Sequence, residues 1–310
     1  MSVFISFVVP AYNERKYIDA CLLSIRNGSD KYGVEAEIIV IDNGSTDNTV
    51  SLAKKYTDNI ISIDRSNVSS ARNLGASKAT HDVISFIDAD IELTSEWFSN
   101  LVKIYGKNEL NTLHLTGWFY SVRSNGSWIE RFWFKNLKDK LLAGGNILTT
   151  KTAFNHVGGF NERLDTGEDY DYCARSIEAG VDYCPNQGFK AIHLGFPRDV
   201  KNFVRREVWH GQGDFYNLKT FIGSPVALIS VFYVLLSISA LVLGFCGQLM
   251  ASVVIVLALA TLNLAITKKR FNGCKFHIIL FNSPLNFIYF YSRFWSLFPR
   301  LKEGINSREK

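Results

Sequence analysis

Short apolar segments alternate with segments of helical spacing over the first ninety residues, and this alternation restricts the fold more than any other feature. The predicted strands are residues 3–9, 37–41, 60–63 and 83–87, and the predicted helices between them are residues 14–26, 49–56 and 69–78. Such a rhythm is typical of a doubly wound, mostly parallel α/β sheet. No Gly-x-Gly-x-x-Gly follows the first strand, so the usual dinucleotide-binding fingerprint is missing.

Two carboxylates, Asp88 and Asp90, follow directly after the fourth predicted strand. Side chains two residues apart on an extended backbone point the same way. Open α/β sheets bind ligands at the carboxyl ends of their strands. Two hard oxygen ligands there suit Mg²⁺ or Mn²⁺ carrying a diphosphate. The alternative is a strand that ends in an ordinary polar turn.

Polar segments also follow the first two strands, at residues 10–14 and 42–47. Each alone is consistent with turn chemistry, because Pro, Asn, Asp, Gly and Ser favour turns for local backbone reasons. Since the ends of parallel strands meet at one edge of a sheet, we expect these segments to form a polar crevice with Asp88 and Asp90.

Four motifs in this order resemble family 2 glycosyltransferases of the GT-A fold. They are VVPAYNE at 8–14, IDNGSTD at 41–47, ARNLG at 71–75 and DAD at 88–90. The resemblance extends over residues 3–215. It implies a GT-A-type mixed sheet of the nucleotide-diphospho-sugar transferases, a nucleotide-sugar donor, a divalent metal, and inversion at the anomeric carbon.

The resemblance also implies roles for individual residues. The expected donor-binding residues are Pro10, Tyr12, Glu14, Asp42, Arg72, Asn73 and Asp88. Asp90 is the expected ligand of Mg²⁺ or Mn²⁺, and His193 is either an additional metal ligand, as in some relatives, or a structural histidine. Arg72, near the start of a predicted helix, suits phosphate binding. The alternative for Arg72 is a solvated helix charge.

A Gly-Gly-Phe-x-Glu segment at 158–162 precedes Glu168 and Asp169, an order that the family shares. By resemblance Asp169 is the catalytic base and Glu168 supports it. The chemistry needs one carboxylate within hydrogen-bond reach of the acceptor hydroxyl. The same pair also suits the start of a helix, where carboxylates interact favourably with the helix dipole.

Two later segments, residues 221–245 and 250–266, contain no charged residue and predict a transmembrane helical hairpin. Basic residues at 268–270 follow the second segment. By the positive-inside rule they place that end, and therefore the N-terminal domain, in the cytoplasm at the inner membrane. Buried core helices are the alternative. Residues 276–301 are apolar but interrupted by polar residues, which favours an interfacial or re-entrant helix over a third span.

The expected domains are residues 1–215 for the glycosyltransferase, 216–275 for the hairpin, and 276–310 for the last helix and a polar tail. Lys and Arg total 34 against 29 for Asp and Glu, a mild excess that does not suggest a nucleic-acid partner. The five cysteines are scattered, so their spacing predicts neither a disulfide framework nor a zinc site, and it favours a reducing compartment. No signal peptide is expected.

The predicted function is the metal-dependent, inverting transfer of a sugar to a membrane-associated acceptor, most simply a lipid-linked saccharide, in glycan or cell-envelope polysaccharide synthesis. The processive-synthase mark Gln-x-x-Arg-Trp is missing, which favours addition of one sugar or few. The alternatives are a polyprenyl-phosphate sugar synthase, a non-catalytic nucleotide-sugar-binding membrane scaffold, and a nucleotidyltransferase. For residues 128–142, membrane-surface contact, a flap over the acceptor, and core packing all remain open.

Overall fold

The computed structural model describes residues 2–106, 112–137, 141–164, 166–215 and 218–298. Its contacts divide the chain into two compact units. The first comprises Met1–Ser124 and Asp139–Phe196, and the second comprises Asn125–Lys138 and Pro197–Lys310. The domain boundaries expected at 215 and 275 remain a proposal about how the chain is organised.

The first unit is built on a mixed sheet of seven strands in the order β3-β2-β1-β4-β8-β6-β9. The strands are β1 (Val3–Ala11), β2 (Val34–Asp42), β3 (Ile60–Ser62), β4 (Val83–Ile87), β6 (His114–Gly117), β8 (Asn146–Thr150) and β9 (Asp182–Pro185). A three-stranded sheet contains β5 (Ile91–Leu93), β7 (Tyr120–Ser121) and β10 (Ala191–His193). The four N-terminal strands of the large sheet are parallel, whereas β8 runs antiparallel to both β4 and β6. The predicted GT-A-type mixed sheet is confirmed.

Helices cover both faces of the large sheet, which is why its central strands are apolar on both sides. The helices of this unit are α1 (Ile18–Tyr32), α2 (Thr49–Ala53), α3 (Val68–Lys78), α4 (Ser95–Tyr105), α6 (Lys151–Val157) and α7 (Glu168–Glu178). Phe7 of β1 belongs to the core shared with α1 and α4, and its neighbour Val8 belongs to the core on the α3 face. Gly75 lets α3 approach closely, because a Cβ there would lie 2.2 Å from Val8 Cγ1.

The chain between residues 112 and 122 is divided between two strands, β6 and β7. β6 ends at Gly117, and β7 leaves to join the small sheet. Gly117 has φ +145, and a Cβ there would lie 2.2 Å from the Asn146 carbonyl oxygen. The break therefore depends on a glycine and on the close neighbouring strand β8, which local periodicity cannot reveal.

The second unit is helical. Its helices are α5 (Trp128–Phe132), α8 (Val200–Gly211), α9 (Leu218–Gly223), α10 (Pro225–Phe245), α11 (Leu249–Arg270) and α12 (Phe276–Trp295). By length and composition α10 and α11 are long and apolar enough to cross a membrane. Most side chains in the apolar stretches of α10 and α11 are not buried within the protein.

The polar residues that interrupt the apolar pattern of α12 make contacts between helices. Asn286 Nδ2 donates to Asn263 Oδ1 at 2.8 Å, and Asn263 Nδ2 donates to the Ser283 carbonyl at 2.9 Å. Asn282 Nδ2 donates to the Phe132 carbonyl of α5 at 2.7 Å. These bonds join α12 to α11 and α5. The predicted polar tail, 302–310, lies outside the described residues.

The aromatic segment at 128–142 is divided between core and surface. Trp133 is fully buried, with its ring edge-to-face against Phe203 at 5.2 Å and Phe271 at 5.3 Å. Trp128 is exposed. Core packing therefore accounts for Trp133, while Lys138 and Lys140 of this segment lie outside the described residues.

Candidate active site

The first two strand ends meet as the sequence predicts. Parallel register pairs Pro10 with Ile41 and Ala11 with Asp42. Asp42 is buried, and its Oδ1 accepts a hydrogen bond from the Ser45 N–H at 3.1 Å. The buried carboxylate therefore holds the turn that follows β2 in place.

The Tyr12 ring lies beside a cation that the sequence did not single out. Arg65 places its guanidinium 3.5 Å from the Tyr12 ring centroid. Tyr12 is exposed, so part of its surface remains accessible. Arg65 follows β3 without a recognisable motif, and only the packing of β3 beside β2 brings it to Tyr12.

Glu14 faces other carboxylates. Burial raises its pKa to about 7, and the charges of Asp88 and Asp47 add to the shift. Its backbone N–H donates to Thr49 Oγ1 at 2.8 Å, which fixes the start of this segment against α2. Near neutral pH the Glu14 carboxyl is thus divided between its protonated and ionised forms.

Arg72 joins two carboxylates from distant parts of the chain. Its Nη2 lies 2.7 Å from Asp88 Oδ1 and its Nη1 lies 2.7 Å from Glu168 Oε1. Only 3% of the Arg72 side chain is exposed. Burial alone would lower its pKa, but the charges of Asp88 and Glu168 outweigh burial and raise it. The guanidinium therefore stays charged and holds the end of β4 against the start of α7.

Asn73 contacts the segment that contains the Gly-Gly-Phe-x-Glu motif. Its Nδ2 donates to the Phe160 carbonyl at 2.9 Å and to Glu162 Oε1 at 2.7 Å, and its Oδ1 accepts from the Phe160 N–H at 2.9 Å. The Asn73 side chain thus anchors residues 160–162 to α3. Its predicted contact with the donor remains a prediction.

A pair of glycines between these groups allows the backbone to approach both carboxylates. The Gly144 N–H donates to Asp169 Oδ2 at 3.0 Å. A Cβ on Gly145 would lie 2.2 Å from Asp88 Cγ, so only glycine fits there without displacing Asp88. The sequence showed the Gly-Gly pair, but not which carboxylates it borders.

Glu168 and Asp169 lie in the first turn of α7, which begins after Gly167 in the left-handed conformation. Asp169 Oδ1 accepts from the Tyr170 N–H at 2.8 Å, so with Gly144 the carboxylate has two backbone donors. A carboxylate at a helix start interacts favourably with the helix dipole. The Asp169 side chain remains partly exposed.

Asp90 and His193 form a second pair. His193 Nδ1 lies 3.5 Å from Asp90 Oδ2, and it accepts from the Gly195 N–H at 3.1 Å. A Cβ on Gly195 would lie 2.1 Å from Asp90 Oδ2, so glycine leaves room for the carboxylate. Adjacent ligands of one ion at metal–ligand distances of about 2.1 Å are about 3 Å apart. One carboxylate and one imidazole at this spacing fit a shared divalent ion.

Tyr120 contacts His193 of the predicted site and the Gly145 backbone, although the sequence did not single it out. Its hydroxyl accepts from the Gly145 N–H at 2.9 Å, and its ring meets His193 edge-to-face at 4.9 Å. Burial raises its pKa well above the usual value, and the charge of Asp88 adds to the shift. The hydroxyl therefore stays protonated. Nothing in the local sequence distinguishes Tyr120 from other strand tyrosines.

Nine of the eleven predicted site residues, all except Glu14 and Asn73, therefore fall into three groups. Asp88, Arg72, Glu168 and Asp169 are joined through the ion pairs of Arg72 and the Gly144–Gly145 backbone. Asp90 pairs with His193, and Tyr120 contacts both this pair and the glycine backbone. Pro10, Tyr12 and Asp42 lie at the ends of β1 and β2, while Asn73 contacts residues 160–162.

The mixed α/β sheet of the first unit is a GT-A-type core, the fold of a class of sugar transferases. A sequence model described as "Glycosyl transferase family 2" matches residues 6–162, about half of the chain. The chain belongs to glycosyl transferase family 2, which confirms the predicted family and the predicted enzyme class.

Curated relatives match part of the chain and part of their own length. "Glycosyltransferase AglE" of Haloferax volcanii is 26% identical over 194 residues, which are 57% of this chain and 62% of AglE. "Chondroitin synthase" of Pasteurella multocida is 28% identical over 188 residues, 57% of this chain but only 19% of the synthase. Among solved structures, S. aureus TarS is similar with a TM-score of 0.47 at 18% identity, covering 67% of this chain and 39% of TarS.

Proposed function

We propose that this protein transfers a sugar, with inversion, from a nucleotide-sugar donor to a membrane-associated acceptor. The observation that carries this proposal is the position of Tyr120. Its ring touches His193, the partner of Asp90, and its hydroxyl holds the backbone beside Asp169. A candidate metal pair and a candidate base are thus linked through one half-buried side chain.

In this mechanism Asp169 accepts the proton of the acceptor hydroxyl. The acceptor oxygen forms a bond to the anomeric carbon on one face, while the bond from that carbon to the diphosphate oxygen breaks on the other, so the configuration inverts. The electron pair of the broken bond leaves with the nucleoside diphosphate. The Gly144 and Tyr170 N–H groups orient the Asp169 carboxylate, and Glu168 supports it by fixing Arg72.

Asp90 and His193 are the residues that would hold the divalent ion, Mg²⁺ or Mn²⁺. When bound, such an ion supplies Lewis-acid stabilisation of charge on the diphosphate. Asp88 lies two residues before Asp90 in the sequence and is held by Arg72. It is proposed to support the donor side of the site.

Donor binding is proposed for the ends of β1 and β2. Tyr12 offers an exposed ring with Arg65 beside it, a combination that suits a planar base. Pro10 and the buried Asp42 shape the adjoining strand ends, and Glu14 faces Asp88. Arg72 and Asn73 remain proposed donor-binding residues, next to these strand ends in the family motifs.

The acceptor is proposed to be a lipid-linked saccharide in glycan or cell-envelope polysaccharide synthesis. The support is α10 and α11, which are apolar enough to form a membrane hairpin, with Lys268 and Lys269 at the end of α11. Basic residues at that end favour the cytoplasmic side for it, and two crossings return the transferase unit to the same side.

The test is release of nucleoside diphosphate from a panel of nucleotide sugars by the full chain in detergent with membrane lipid extract. Release is measured with and without Mn²⁺ or Mg²⁺, beside the variant Asp90→Ala. Metal-dependent release from one donor that the variant lacks supports transfer and names the sugar. Donor binding without release under every lipid condition would instead support the scaffold alternative.

A further inference from the structure

Three side chains of types that can bind metals lie together on β6 and β9, at the β9 edge of the large sheet. His114 begins β6, and Asp182 and Cys184 lie on the neighbouring strand β9. The parallel register pairs His114 with Asp182 and Thr116 with Cys184. Residues two apart on a strand share a face, so Asp182 and Cys184 project on the same side.

This cluster is remote from Asp88. Leu115 pairs with Thr149 of β8, and the next residue of β8, Thr150, pairs with Val83 at the start of β4. His114 therefore lies level with the start of β4, whereas Asp88 follows its end. At about 3.3 Å per residue, the length of β4 places the two about 17 Å apart along the strand direction.

The distances suit one shared ion. His114 Nδ1 lies 3.4 Å from Asp182 Oδ2, and Cys184 Sγ lies 3.0 Å from Asp182 Oδ1. One ligand atom from each residue lies within 4.8 Å of the others. Tetrahedral Zn²⁺ with bonds of about 2.0 Å to nitrogen or oxygen and about 2.3 Å to sulfur separates its ligands by about 3.3–3.5 Å. Small side-chain rotations close the remaining difference.

The donor set selects the type of metal. A thiolate favours Zn²⁺ and related soft or borderline ions, whereas Mg²⁺ prefers oxygen ligands. Asp90 and His193 offer no sulfur, so the two clusters differ in the ion that they favour. Cys184 is exposed, and the Asp182 side chain is 44% exposed, so an ion can enter from solvent.

An independent observation comes from Tyr105 at the end of α4. It is 9% exposed, and among the described residues its hydroxyl has no hydrogen-bond partner. Its ring meets His114 edge-to-face at 5.7 Å, so Tyr105 lies beside the cluster. A buried hydroxyl without a partner is costly, which points to a bound group at this cluster that the described side chains do not supply.

We propose that His114, Asp182 and Cys184 bind one Zn²⁺ ion that fastens β9 to β6. β9 is the last strand in the order of the large sheet, so the ion would secure an edge strand that is paired on one side only. The fourth coordination position is open to water. This site is independent of sugar transfer, and its loss leaves the roles assigned to Asp90 and Asp169 unaffected.

The test measures zinc in the tag-free full chain, purified in detergent without chelator, by elemental mass spectrometry. We expect about one Zn²⁺ per chain in the wild type, and a loss of at least tenfold in Cys184→Ser and in His114→Ala. Cys246→Ser is the matched control, because Cys246 is also an exposed free cysteine but does not belong to this cluster, and it should retain the ion.

Cobalt substitution tests the proposal in the wild-type protein, so the result does not depend on whether a variant folds. The wild type reconstituted with Co²⁺ should show a sulfur-to-cobalt charge-transfer band, and chelation of the native metal should lower the midpoint of thermal unfolding. Wild-type protein with less than a tenth of an equivalent of zinc and no such band would overturn the proposal. Equal zinc content in the wild type and a folded Cys184→Ser variant would overturn it as well.

Discussion

The Tyr120 hydroxyl accepts a hydrogen bond of 2.9 Å from the backbone N–H of Gly145. Gly145 borders Asp88, and the preceding residue, Gly144, donates to Asp169. One bond therefore fixes a backbone segment that touches both carboxylates. Because the pKa of Tyr120 is raised well above its usual value, its hydroxyl stays protonated and the bond does not depend on pH over the physiological range.

Removing this hydroxyl should destabilise the site without introducing a charge. We expect Tyr120→Phe to lower the free energy of unfolding by about 1–3 kcal/mol, because the buried Gly145 N–H loses its acceptor. Turnover should fall as Asp169 loses its fixed neighbour. The control is Tyr170→Phe, an exposed tyrosine in α7, which should change stability by less than about 0.5 kcal/mol. Denaturant unfolding that gives equal stabilities for the two variants would contradict the role of the bond.

The Arg72 ion pairs should make a large contribution to stability. We expect Arg72→Met to lower the free energy of unfolding by about 3–5 kcal/mol, because it leaves Asp88 and Glu168 without their buried partner. Lys55→Met removes a surface pair with Asp19 and should cost less than about 1 kcal/mol. Thermal and denaturant unfolding of both variants measures the difference. Similar losses in the two would mean that Arg72 acts as an ordinary surface charge.

Asp169 should matter for turnover and not for donor affinity. We expect Asp169→Asn to reduce the turnover number by about 10²–10⁴, the usual contribution of a general base, while donor binding stays within about twofold. Asp171→Asn is the control on the same helix, because Asp171 pairs with Arg175. Steady-state kinetics and calorimetric donor titration separate the two effects. Near-normal turnover would reject the base assignment and favour an acceptor that is already ionised, such as a polyprenyl phosphate.

A methyl group on Gly145 should disturb Asp88 directly. A Cβ there would lie 2.2 Å from Asp88 Cγ, so we expect Gly145→Ala to reduce turnover by at least about 10²-fold, as displacement of a positioned group does. Gly223→Ala is the control, because a Cβ at Gly223 meets nothing within 4 Å. Initial rates of diphosphate release at saturating donor test this. Full activity in Gly145→Ala would show that Asp88 can move without consequence.

Glu14 should make stability depend on pH in a defined direction. Its pKa is raised from 4.5 to about 7 in the folded protein, so between these values the folded state binds more protons than the unfolded state. The free energy of unfolding should therefore decrease as pH rises from about 4.5 to about 7. Glu14→Gln should lack this component. Unfolding measured in metal-free buffer across this range tests it, and parallel profiles for the two proteins would contradict the raised pKa.

The sequence by itself determined the strands, the strand ends and the order of the motifs. Apolar runs of β-branched residues fix which segments are strands, and the polar residues that follow them lie at one edge because parallel strands share a direction. For this reason Asp42, Asp88 and Asp90 were placed at strand ends correctly. The charge-free segments of α10 and α11 were equally predictable from the sequence, because helix length and hydropathy are local properties.

Only the tertiary structure decided which side chains meet. The sequence did not show that Arg72 joins Asp88 to Glu168, which lies 96 residues after Arg72 in the chain. Tyr120 enters the site because β6 ends at Gly117 and the chain passes to the small sheet. His114 meets Cys184 through the register of β6 with β9, which cysteine spacing does not encode. The physical reason is common to all three: pairings between distant segments depend on strand register and close packing, whereas sequence periodicity reports only the local backbone and its buried face.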